Sequence, residues 1–194
     1  MSWLESLLII VGISFDIFAS MEVEGSMLAH VKRSSLAIAC LLVTLLQLVF
    51  FFGGYFACYE AGKYGLVKAP RELGFLMSVV VFGLLGLRLL VKAVKKEFVH
   101  EKRRKDILVR DYIKIIAVTS LYTLVAGCAH GFVGTSVIML AVDIVVCSVV
   151  FVIAGLYTGY HFGFASKTGA YVTGAVLLWV AGTEILLNSV MNII

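Results

Sequence analysis

The chain has 194 residues, 61% of them apolar and only 14% charged, with a single proline and a formal net charge of +4. Soluble domains run at roughly 45–50% apolar and 25% charged, so this composition excludes an ordinary water-soluble globule. The positive excess comes mostly from one short basic stretch and reads as a topology signal, with attraction to anionic lipid as a secondary role, rather than as a nucleic-acid patch.

Apolar runs long enough to cross a bilayer as helices, about 17–25 residues, fall at approximately 3–21, 35–59, 73–94, 112–130, 133–158 and 169–191. Transmembrane strands would be short and alternating. Continuous runs of this length instead predict helices, which satisfy their own backbone hydrogen bonds in lipid. The first run carries Glu5 and lacks a basic leading region or a clear cleavage site, so it is expected to be a retained helix.

On the first span Gly12, Asp16 and Ser20 recur every fourth residue and share a face. A carboxylate at membrane depth costs a few kcal/mol or more and usually lines a solute path. Asp16 must therefore face the bundle, as a cation ligand or proton acceptor, or as one half of a packing pair. Glu22 and Glu24 follow, where a solvated helix end is expected. The second span places Gln47 two turns before Gly54, as an oxygen ligand or as packing glue. On the third, Arg88 is near enough to the basic end, with Lys92 and Lys95 beyond it, to snorkel into water. The fourth offers Ser120 and Tyr122. The fifth carries Asp143, a candidate second ligand, proton-coupling group or packing partner. Its Gly155 and Gly159, a G-x-x-x-G step, let helix backbones approach closely. Glu184 on the sixth is expected to snorkel or pair. Cys40, Cys58, Cys128 and Cys147 fit neither a zinc module nor a disulfide framework and read as small packing residues. His30, His100, His130 and His161 show no ligand spacing.

The chain also repeats itself. Ser14-Phe15-Asp16 with Gly25 returns 106 positions on as Ser120-Leu121-Tyr122 with Gly131. Gly54 returns as Gly155, and Gly86-Leu87-Arg88 as Gly182-Thr183-Glu184. Residues 1–94 and 107–194 thus form two three-span halves joined by a basic linker, 95–106. An odd number of spans per half turns the second upside down, an inverted repeat of the kind that in transporters holds its site between the halves near the midplane. The expected fold is an all-α membrane protein, six transmembrane helices as two inverted three-helix repeats. Lys95, Lys96, Lys102, Arg103, Arg104, Lys105 and Arg110 put the 3–4 loop in the cytoplasm and both termini outside the cell membrane.

Taken together these residues resemble the MntP-type manganese efflux family of the LysE transporter superfamily. Its first-helix pattern S-x-D-x-F-A stands here as Ser14-Phe15-Asp16-Ile17-Phe18-Ala19, followed by Gly25. Its second-helix Gln or Glu before a Gly matches Gln47 and Gly54, and its Gly-x-Arg-like step matches Gly86-Leu87-Arg88. Its later spaced glycines are similar to Gly155, Gly159, Gly163, Gly174 and Gly182. The chain departs at two places: Tyr122 stands where the family repeats the aspartate, and Phe51 where it often has proline. The resemblance implies export of a divalent cation, with no tightly bound cofactor and Mn²⁺ as the carried ion. Asp16, Gln47 and Ser20 would supply oxygens, with Asp143 as the compensating acid; Mn²⁺ suits carboxylate and carbonyl ligands.

No nucleophile–base pair, zinc motif or phosphate-binding G-x-x-x-x-G-K-[ST] loop is present, so an enzyme is not expected, and the energy for transport must come from an ion gradient or from another subunit. The expected partners are the lipid bilayer and a small cation, while oligomeric state stays open. Two other readings stand: an exporter of a different solute, such as an amino acid, and a non-transporting membrane scaffold that has lost the second aspartate.

Overall fold

The computed structural model describes residues 3–28, 30–64, 70–94, 109–163 and 166–191. These form six helices: α1 Trp3–Met27, α2 Arg33–Lys63, α3 Pro70–Val94, α4 Val109–Val133, α5 Val137–Phe162 and α6 Lys167–Met191. The basic linker 95–106 and its counted charges lie outside the described residues.

Four of these helices are long and apolar enough to cross a membrane, over Ser6–Met27, Arg33–Lys63, Leu76–Val94 and Val137–Phe162; α4 adds a shorter apolar stretch, Leu121–Val133. In α6 the apolar residues are interspersed with Thr168, Gly169, Thr173, Gly174, Thr183 and Glu184, which dilutes its hydropathy. The chain is all-helical among its described residues.

Local chemistry sets the helix ends. Pro70, the lone proline, opens α3, where a missing N–H costs nothing. Gly134 and Gly163 close α4 and α5 with φ of 73° and 68°, a left-handed turn that a side chain resists. Their N–H groups donate to the carbonyls of His130 and Gly159, each at 3.0 Å.

α1 packs along α5, α2 along α4, and α3 along α6, with α1–α6 and α3–α4 as further contacts. The core draws on Ile9 and Ile13 of α1, Phe82 and Leu89 of α3, and Tyr171 and Leu178 of α6. The outward faces are apolar too: Leu41, Leu45 and Val49 on α2, and Ile138, Val142 and Val146 on α5, are all exposed. A surface of this kind suits hydrocarbon and not water.

α1 runs six residues past the expected end of its span. That extension corrects the placing of Glu22 and Glu24, which are buried at 0% and 7% exposure rather than solvated. His130, expected at a span end, lies inside α4 and is fully buried, edge-on to Phe51.

Candidate functional site

Asp16 is 4% exposed and faces the bundle, as its flanking small residues require. Two cations from α3 meet it. Lys92 Nζ donates to Oδ1 at 2.6 Å, and Arg88 Nη1 lies 3.5 Å from Oδ2. Arg88 and Lys92 are four residues apart, one above the other on a helix face, so both reach a single carboxylate on α1. Isolated burial of such a carboxylate costs several kcal/mol, which close pairing offsets.

The cations have a second layer of partners. The Arg88 guanidinium stands over the Tyr122 ring of α4, 4.2 Å from its centroid, and Lys92 Nζ lies 5.3 Å from the Tyr171 ring of α6. Ring faces attract cations, by about 0.5–2 kcal/mol according to solvation. The site thus joins α1, α3, α4 and α6. Asp16 and Tyr122, which the expected repeat aligns, both contact Arg88. The snorkelling expected of Arg88 is corrected here: the guanidinium turns inward because Asp16 and Tyr122 give it a charge and a ring to bind.

The other residues named from the sequence fall in three places. The Ser20 hydroxyl is one turn from Asp16 and donates to the Asp16 backbone carbonyl at 2.8 Å, the back-bonding usual for a helical serine. Gln47 is buried on α2, and its Oε1 accepts from the Ser148 hydroxyl of α5, which also meets the Ile144 carbonyl at 2.6 Å. Gln47 and Ser148 are separated by the same interval as Gly54 and Gly155, so two positions that the expected repeat would align touch each other.

Asp143 is elsewhere. It lines a cavity of about 300 Å³ with Trp3, Ser6, Thr135 and Ser136. Trp3 is thirteen residues before Asp16 on α1, about 20 Å at 1.5 Å per residue. The structure does not bring Asp143 to Asp16, and the space beside Tyr122 is taken by Arg88. Ser120 is on α4, and its side chain lies outside the described residues.

The glycines mark where backbones touch. A Cβ on Gly12 would come 2.7 Å from Leu178 Cγ on α6. On α5, Gly155 and Gly159 abut the carbonyls of Phe18 and Glu22, while Gly25 of α1 abuts that of Leu156. On the other side Gly54 abuts the Leu124 carbonyl, and Gly127 and Gly131 abut those of Phe51 and Tyr55. Lys92 and Tyr171 are members of the site that sequence reasoning missed. For Lys92 the spacing from Arg88 on one face of an apolar helix was the available signal.

No group of three or more metal-ligating His, Cys, Asp or Glu side chains occurs among the described residues. The arrangement is a buried carboxylate with two internal counter-ions from α3.

Residues 30–186 match the family model described as "Putative manganese efflux pump". Relatives named "Putative manganese efflux pump MntP" from three Clostridium perfringens strains, SM101, ATCC 13124 and 13, are each 24% identical over 202 residues, spanning 91% of this chain and 90% of theirs. No solved structure matches. With four-fifths of its length on the family model, and with Asp16 held inside a bundle of apolar helices, the chain belongs to the MntP family of membrane transporters.

Proposed function

We propose that this protein exports a manganese-like divalent cation across the cell membrane through a site centred on Asp16, between two inverted three-helix halves, residues 1–94 and 107–194. The observation that carries the reading is the buried Asp16 carboxylate, held by side-chain cations that an entering ion can replace. Gln47 and Ser20 are the proposed supplementary oxygens. Asp143 and its cavity, at the start of α1, are the proposed exit-side vestibule. Tyr122 and Ser120 of α4 are the proposed substrate-binding residues.

The inversion has its own support. Shifting the α1 contacts by 106 positions and the α5 contacts by 101 turns Gly155–Phe18 into Gly54–Leu124, and Gly25–Leu156 into Gly131–Tyr55. In each pair the contacts advance together along both helices, so α1 runs with α5 and α2 with α4. Since α1 and α2 are joined by a short turn, this supports opposite directions for the two halves. The Lys and Arg distribution supports a cytoplasmic 3–4 loop with both termini outside.

Purified protein in liposomes loaded with a Mn²⁺-sensitive dye tests the reading. Wild type gives Mn²⁺ flux down its gradient, and Asp16→Asn reduces it at least tenfold; equal flux in the variant overturns an Asp16-centred site. A second reading, an amino-acid exporter, is favoured by the charge count. Lys92 and Arg88 beside one Asp could hold the carboxylate and amine of a zwitterion. Amino-acid flux without Mn²⁺ flux decides for it, and absence of both favours the scaffold reading.

A further inference from the structure

We infer that Lys92 is a tethered competitor ion, occupying the Asp16 carboxylate when no cation is carried and swinging away when one enters. This rests on the Asp16-centred transport reading. Three observations lead to it. The Lys92 ammonium lies 2.6 Å from Oδ1, while the Asp16 side chain is only 6% exposed; so close a partner fills the approach an incoming cation needs. The charge balance points the same way, because among the described residues two cations, Arg88 and Lys92, pair with the one carboxylate. Adding a divalent ion without removing an ammonium would gather like charges in a low-dielectric interior.

The two cations also differ in how they are held. Arg88 stands back at 3.5 Å from Asp16 and is seated on the Tyr122 ring at 4.2 Å, and its planar guanidinium suits stacking. Lys92 is a point charge on a flexible stem, in the last turn of α3, two residues before the helix ends at Val94. Its side chain is 27% exposed, and the Tyr171 ring at 5.3 Å offers a second resting place. Lys92 is therefore the mobile member and Arg88 the fixed one. Its return to Asp16 would also drive the carried ion off, so Lys92 is a positioning residue for release as well as entry.

The test compares Mn²⁺ affinity, by calorimetry on the purified full chain, with flux in liposomes. Neutral Lys92→Gln or Lys92→Met is expected to tighten Mn²⁺ binding at least tenfold and to lower maximal flux. Lys92→Arg, which restores the charge, should stay within about threefold of wild-type affinity. In the wild type, which needs no folded variant, saturating Mn²⁺ should raise the rate at which an amine-acylating reagent modifies Lys92, read by mass spectrometry; in Asp16→Asn it should not. Unchanged or weaker Mn²⁺ binding in the neutral variants, or a Lys92 acylation rate indifferent to Mn²⁺, overturns the inference. If Asp16→Asn binds Mn²⁺ like wild type, the transport site itself falls; if only Lys92 proves indifferent, that site stands and the competitor role alone is lost.

Discussion

At Gly159, one missing methyl group decides whether two helices can touch. Its absent Cβ faces the Glu22 carbonyl of α1, whereas a Cβ on Gly53 of α2 would meet open space. The two glycines therefore make a matched pair. Gly159→Ala should lower stability by about 1–3 kcal/mol through overpacking. Gly53→Ala should leave it unchanged or raise it by about 0.5–1 kcal/mol, because alanine is the better helix former. Denaturation in detergent micelles, followed by helix content, reads both. The G-x-x-x-G step of Gly155 and Gly159 was legible as a packing face, but not which helix it would meet. Asp16 shows the same division. Its isolation in an apolar span marked it as inward-facing, yet proximity to a basic helix end suggested that Arg88 and Lys92 would face water. Tertiary approach of α3 to α1 overrode that local preference, and spacing along one helix carries no record of its neighbour's charge.

The Gln47–Ser148 hydrogen bond links α2 to α5 where they cross. Interhelical polar contacts in membranes contribute about 1 kcal/mol or less each, so a double-mutant cycle with Gln47→Leu and Ser148→Ala should give a coupling energy of about 0.5–1.5 kcal/mol. Additive losses within about 0.3 kcal/mol would mean that the two side chains merely adjoin. Helix number and order were legible because apolar length is a strong signal. The ends were less so. α1 continues through Glu22 and Glu24 because both are buried against neighbouring structure, and a hydropathy count penalises the carboxylates without seeing what covers them.

For the molecule as a whole, the direction of each proposed half is the decisive property. In a background without native cysteines, Ser136→Cys in the α4–α5 turn should react with an impermeant maleimide in intact cells. His30→Cys, in the α1–α2 turn, should react only after permeabilisation. Both side chains are exposed. Reversal of the two results would invert the orientation, and labelling of both from one side would rule out oppositely directed halves. The proposed duplication rests on a handful of positions, Ser14 with Ser120 and Gly25 with Gly131. The packing of α1 with α5 and of α2 with α4 was not legible, because a repeat in sequence does not say whether its copies would sit side by side or interleave.

One contact near the far end of α1 bears on how the bundle can move. Glu22 Oε1 accepts the Ser166 backbone N–H at 2.9 Å, just ahead of α6. The same residue's carbonyl abuts Gly159 of α5. Ser166, just ahead of α6, and Gly159, in the last turn of α5, are thereby both held against Glu22 of α1. A shift of α1 along its axis would break the first contact and press the second, so the opening rod cannot slide without engaging both of the last two.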